Sequence, residues 1–184
     1  SNLVNISTFK ATVHTKQMQA PHAKLFPAIM KSMKELSDFE LNIVSQQAKP
    51  LRYLAFYNSF SKPEKVQSIR MSIEPSSFEL AGCEMLELDN GLTNLKEISL
   101  TALNETLSGD NLEVFFKSIA SKNMEIIKLN FIQAVDDKKL EKRFSLLAKC
   151  LRLRQLSLKF TVSDISDISL EEMRKCLGKM PYLS

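Results

Sequence analysis

The chain has 184 residues, of which 44% are hydrophobic and 25% are charged, and its net charge is +4. This composition is typical of a folded domain with a sizeable core and excludes a disordered chain. No apolar run reaches roughly 18 residues, so we expect no membrane-spanning helix, and no signal peptide is visible. We therefore expect a cytoplasmic protein that makes no membrane contact.

A short apolar phrase that is typical of a β-strand returns about every 29 residues. The second apolar residue of each phrase serves as its anchor, and the anchors are Phe39, Ile69, Ile98, Ile127 and Leu156. An earlier copy starts at Phe9, and a later one would begin at Met180 and Leu183. A period in this range indicates stacked repeats, because one unit cannot bury its apolar face alone.

The repeats are regular, with a length of 28–29 residues, over residues 92–184 and irregular over residues 1–91. Within the irregular part, "LRYLAF" at 51–56 and "CEMLEL" at 83–88 offer a competing frame. These two phrases fit either strands of shorter repeats or apolar faces of helices, and short apolar runs do not decide between them.

Helical patterns fill the connections between the phrases. "DNLEVFFKSIASKN", "DKKLEKRFSLLAKCL" and "SLEEMRKCLGKM" place apolar residues on one helical face. Ser169 and Glu172 have the spacing of a capping box, and Asp164 and Asp167 stand where carboxylates favour a helix start. Strands that alternate with helices predict an α/β fold with a parallel sheet.

The phrases "LKEISL", "MEIIKLNF" and "LRQLSLKF" share the form LxxLxL. With a helix after each phrase, the chain resembles the leucine-rich-repeat proteins, and its repeat length is similar to the ribonuclease-inhibitor-like subclass. The usual Asn or Cys after the phrase is missing. The resemblance implies a single solenoid over residues 1–184, with a curved parallel sheet on the concave side and helices on the convex side.

The same resemblance implies a non-catalytic module for protein–protein recognition or regulation. Similar repeats occur in nucleotide-binding innate immune receptors, in F-box substrate adaptors and in bacterial effectors. The chain opens "SNLVN" without an initiator Met, and we expect it to be a piece of a larger protein, present there as a monomer. Its protein partner is not identified by the sequence.

Side chains alternate along a strand, so the residues between the apolar ones should face away from the core. In the regular repeats this predicts a binding surface in which Ile126 is the one large apolar residue. The predicted binding residues are Glu97, Ser99, Ile126, Lys128, Asn130, Gln155, Ser157 and Lys159. We expect Ile127→Asp to cost on the order of 3 kcal/mol or more and Ile126→Asp almost nothing.

No catalytic, cofactor or metal site is predicted. His14 and His22 lie in the connection after the first strand candidate without neighbouring ligands. Cys83, Cys150 and Cys176 form no CxxC pair, and we expect the last two to be packed between helices. We therefore expect no enzymatic activity and no cofactor.

Nucleic-acid binding through the basic C-terminal helices is the alternative function. Basic residues become more frequent late in the chain: Lys138, Lys139, Lys142, Arg143, Lys149, Arg152, Arg154, Arg174, Lys175 and Lys179. Acidic residues are interleaved with most of them, and the aromatic residues of a single-strand binder are missing, so a solvated helical surface is the simpler interpretation.

Overall fold

The computed structural model describes residues 5–15, 28–45, 62–75, 91–102, 109–134, 137–161 and 166–184. They form an α/β structure with a single six-stranded sheet, whose strands lie side by side in chain order. The strands are β1 (Thr8–Thr15), β2 (Asp38–Ser45), β3 (Ser68–Pro75), β4 (Glu97–Ala102), β5 (Ile126–Ala134) and β6 (Gln155–Thr161). Each strand pairs with the next in parallel. The predicted α/β class with a parallel sheet is confirmed.

Helices occupy the connections in the C-terminal half. They are α1 (Gly109–Ala120), between β4 and β5, α2 (Asp137–Leu147), between β5 and β6, and α3 (Asp167–Gly178), after β6. Residues 28–32 are also helical, and Pro63–Lys65 forms a single 3-10 turn. Within the described residues, no helix has both the length and the apolar character needed to span a bilayer.

The strand register confirms the predicted anchors. Phe9, Phe39, Ile69, Ile98, Ile127 and Leu156 lie directly opposite one another across the six strands. The period therefore holds from β2 to β4, where the sequence alone left two frames open. The competing phrases at 51–56 and 83–88 lie outside the described residues.

A repeated hydrogen-bond pattern sets this register just before each strand. One carbonyl in each turn accepts two successive N–H groups from the following unit. The carbonyl of Ser7, for example, accepts from Ser37 and Asp38 at 2.8 and 3.0 Å. The equivalent acceptors in the next four units are Ser37, Gln67, Lys96 and Glu125. Each unit is thus fixed to its neighbour before the strand begins.

The last turn of the chain follows the same pattern. The Ser184 N–H donates to the carbonyl of Arg154 at 3.1 Å, and the Leu183 N–H donates to Met180 as the Leu153 N–H does to Cys150. Leu183 therefore occupies the position of Leu153, the first apolar residue of a phrase. The last phrase begins at Leu183, whereas the sequence spacing placed its start at Met180.

The core lies between one face of the sheet and the helices. The strand residues that point to it include Phe39, Leu41, Ile69, Ile98, Leu100, Ile127 and Leu129, all buried. Phe115, Phe116 and Ile119 of α1 and Leu146 and Leu147 of α2 join them in one continuous cluster. Burial of such side chains stabilises the fold by about 1.5–3 kcal/mol each. The strand alternation predicted from the LxxLxL phrase is confirmed.

Two local predictions were wrong. Ser169 does not cap α3, because the helix begins earlier: Ser166 is the N-cap, and its side chain accepts a hydrogen bond from the Ser169 N–H at 3.2 Å. Ser169 is buried within the first turn. His14 lies in β1 and not in a connection, while His22 lies outside the described residues.

The cysteine prediction is confirmed where it can be checked. Cys150 and Cys176 are both buried and form no disulfide, and Cys83 lies outside the described residues. The Cys150 thiol approaches the carbonyl of Ile119 at 3.8 Å. Burial raises the pKa of this thiol to about 11, which makes it a poor nucleophile near neutral pH.

Candidate functional site

The sheet has a second face, opposite the one on which the helices pack. We call it the open face, and its residues alternate along each strand with those of the core. The register forms three rows of them. From β2 to β6 the rows are Asp38, Ser68, Glu97, Ile126 and Gln155; Glu40, Arg70, Ser99, Lys128 and Ser157; and Asn42, Ser72, Thr101, Asn130 and Lys159.

All eight predicted binding residues lie together on this face, across β4, β5 and β6. We call these eight residues the β4–β6 patch. Gln155, Ser157 and Lys159 on β6 are exposed, and the five on β4 and β5 are partly exposed. Thr101 lies opposite Asn130 and completes a three-by-three array. It was missing from the prediction, although its spacing places it in the same row.

The charges on the N-terminal part of the open face pair with one another. Lys10 and Glu40 form an ion pair at 2.6 Å between β1 and β2. Between β3 and β4, the Arg70 guanidinium donates two hydrogen bonds to the Glu97 carboxylate, at 2.8 and 2.5 Å. The Ser68 hydroxyl donates a third, at 3.1 Å. A bidentate contact of this kind holds both side chains in a defined geometry.

The Glu97 carboxylate accepts three hydrogen bonds from its neighbours on β3. Burial of its carboxyl opposes ionisation, but the Arg70 hydrogen bonds and charge, the Ser68 hydroxyl and the charge of Lys128 together hold the pKa of Glu97 below its ordinary value of 4.5. Glu97 is therefore ionised at neutral pH and already satisfied by Arg70. It is not an available carboxylate for a partner.

Two cations on the C-terminal part of the open face lie outside ion-pair distance of any described acid, although the charge of Lys128 acts on Glu97. Within the described residues, no acid forms an ion pair with Lys128 or Lys159. Ile126 lies beside them, partly exposed between Glu97 and Gln155. The β4–β6 patch thus presents two unpaired ammonium groups, several hydroxyl and amide groups, and one aliphatic side chain.

Several basic residues on the outer helices, unlike Lys128 and Lys159, form ion pairs with neighbouring acids. Lys142 pairs with Glu113 at 2.9 Å. On α3 two further pairs form within the helix, Arg174 with Glu171 at 2.8 Å and Lys175 with Glu172 at 2.7 Å. Arg143 is buried, and the side chains of Lys138 and Lys139 lie outside the described ones. Much of the positive charge on the helices is therefore neutralised locally, and the alternative function gains no support there.

The described part of the chain holds no group of three or more His, Cys, Asp or Glu residues arranged to bind a metal ion. Asp137 and Asp167 are the first residues of α2 and α3. An aspartate at the first position of a helix is favoured by the helix dipole without any ligand.

No protein-family model matches the chain, and no curated protein sequence matches it.

Proposed function

We propose that the chain is a leucine-rich-repeat solenoid of the ribonuclease-inhibitor-like type that acts as a non-catalytic recognition module for another protein. The strand order and the register, which is constant over the apolar phrases and shifts between β5 and β6 only after Asn130, support this assignment. Each LxxLxL phrase supplies one parallel strand next to the previous one. Stacked units of this kind use an extended sheet face for binding.

The binding surface that we propose is the β4–β6 patch. The observation that carries the proposal is the uneven charge pairing on the open face. The cations Lys10 and Arg70 form ion pairs with Glu40 and Glu97, whereas Lys128 and Lys159 form no ion pair with a described acid. Carboxylates of a partner would form ion pairs with Lys128 and Lys159, and an apolar side chain of that partner would cover Ile126.

The partner is therefore a protein segment that carries acidic residues around an apolar one. Rim charges mainly accelerate association and give it salt dependence, and the desolvated apolar contact contributes most to the lifetime of the complex. We expect binding to weaken with salt without being abolished.

Site-specific photo-cross-linking in cell lysate tests this proposal. A photoreactive residue is placed at Ser157, in the middle row of the exposed strand β6, and in a matched control at Leu170, which is exposed on α3. A protein adduct that forms at position 157, is absent at position 170 and is reduced by Lys128→Glu supports the proposal. Equal adducts at both positions, or none at 157, would contradict it.

A further inference from the structure

A second surface lies at the end of the sheet where the strands begin. It is formed by the turn that precedes β6 and the turn that follows α3. Two stretches form it, residues 148–155 and residues 178–184. The hydroxyl and the N–H of Ser184 both donate to the carbonyl of Arg154, at 3.1 Å each. These bonds hold the two turns side by side, so their exposed side chains form one surface.

This surface is basic and contains no acidic residue in either stretch. Its four cations are Lys149, Arg152, Arg154 and Lys179, and all four are exposed. None of them forms an ion pair with a described acid. Glu125, whose carbonyl accepts the Arg154 N–H, has its carboxylate directed to Lys96 at 3.8 Å.

Large apolar side chains project from the same turns. Among the described residues, four large hydrophobic side chains are strongly exposed, and two of them are Leu151 at 60% and Tyr182 at 64%. Leu151 is adjacent in sequence to Arg152, and Tyr182 lies at the position equivalent to Arg152 in the neighbouring turn. We call the set Lys149, Leu151, Arg152, Arg154, Lys179 and Tyr182 the turn patch.

We infer, contrary to the expectation from the sequence that the protein makes no membrane contact, that the turn patch docks on the surface of a lipid bilayer that contains anionic lipids. Lysine and arginine are attracted to the negative surface potential of such a bilayer. Leucine and tyrosine gain by leaving water for the region between headgroups and acyl chains, where the tyrosine ring has both an apolar and a polar environment. The combination of cations with protruding apolar side chains therefore matches this surface.

A nucleic acid explains the patch less completely. It would satisfy the cations, and Tyr182 would offer one ring for stacking on a base. It would leave Leu151 without a role, because an aliphatic side chain offers no stacking surface. This docking surface is separate from the β4–β6 patch, and it does not depend on the function proposed for that patch.

Co-sedimentation with vesicles tests the inference. The 184-residue chain is mixed with phosphatidylcholine vesicles that contain either no anionic lipid or about 30% phosphatidylserine. We expect binding only to the anionic vesicles. Arg152→Gln should weaken it about fivefold, the effect of one surface charge, and Leu151→Ser combined with Tyr182→Ser about tenfold or more.

Two control variants make the test specific. Lys34 is exposed in the equivalent turn of an earlier unit, and Ile168 is 74% exposed on α3, away from the turns. Lys34→Gln and Ile168→Ser should bind as the unchanged chain does. Equal binding to neutral vesicles, equal losses in the control variants, or no binding to either kind of vesicle would overturn the inference. Binding of a labelled oligonucleotide with no binding to vesicles would also overturn it and would indicate a nucleic-acid surface.

Discussion

Replacing Ile127 with asparagine tests the strand register, which determines the residues assigned to the core and to the open face. Ile127 lies on β5 with no exposed surface, among the core residues that join the sheet to α1 and α2. The substitution removes an apolar burial worth about 1.5–3 kcal/mol. It also places an amide without a partner in the core, at a cost of about 1–3 kcal/mol. Together these two effects predict a loss of about 2.5–6 kcal/mol in the free energy of unfolding.

The matched control is Ile126→Asn, the same change one residue earlier. Ile126 is partly exposed on the open face, so its substitution should cost less than about 1 kcal/mol. Asparagine is preferred to aspartate here, because Ile126 lies directly opposite Glu97 and two facing carboxylates would repel each other. The structure thus corrects the expectation that Ile126→Asp is nearly free of cost.

Urea denaturation followed by circular dichroism measures both variants, with the slope of each transition compared to that of the unchanged chain. If the control lost more stability than Ile127→Asn, the strand phase would be displaced by one residue and the assignment of the open face would be wrong.

Four further predictions concern individual contacts. Because the pKa of Glu97 is lowered in the folded state, the ionised carboxylate contributes fully to the free energy of unfolding above about pH 4.5, and this contribution is lost as the pH falls. In denaturation curves, the stability difference between the unchanged chain and Arg70→Met should therefore become smaller on acidification. Ser166→Ala should lower stability by about 1 kcal/mol, while Ser166→Asp should retain it, since aspartate also caps helices. Hydrogen bonds from Lys117 and Lys142 lower the pKa of Glu113 to about 2. When both lysines are replaced by glutamine, an NMR titration should show the pKa of Glu113 return towards 4.5. Alkylation mapped by mass spectrometry should leave Cys150 unmodified until the protein is unfolded, because burial raises the pKa of its thiol to about 11.

The strand positions could be predicted from the sequence because the signal is repeated. Each phrase has the same alternation, and a register that satisfies one pair of strands satisfies all of them, as the alignment of Ile98, Ile127 and Leu156 shows. A slip by one residue would turn every apolar side chain away from the helices. Periodicity therefore determined both the core face and the location of the β4–β6 patch.

Details that depend on one local contact could not be predicted in this way. The cap of α3 is Ser166 because its side chain reaches the Ser169 N–H. The capping-box spacing of Ser169 to Glu172 pointed to the wrong serine, since spacing alone does not show which side chain reaches an N–H group. The pairing of Arg70 with Glu97 connects neighbouring strands and has no signature within either one. The four cations of the turn patch were noted from the sequence, but their juxtaposition with Leu151 and Tyr182 was not predicted, because the two stretches are 30 residues apart and come together through the bonds of Ser184 to Arg154.

The affinity of the cross-linked partner for the β4–β6 patch is the measurement that tests the central proposal most directly. With the partner purified, calorimetric titration would compare the unchanged chain with Lys128→Glu, Lys159→Glu and a control on the outer helix, Lys175→Glu. We predict that each open-face reversal weakens binding about tenfold or more and that the salt dependence of binding falls, while the control binds as before. Equal affinities for all four proteins would contradict the proposal that the open face recognises an acidic partner.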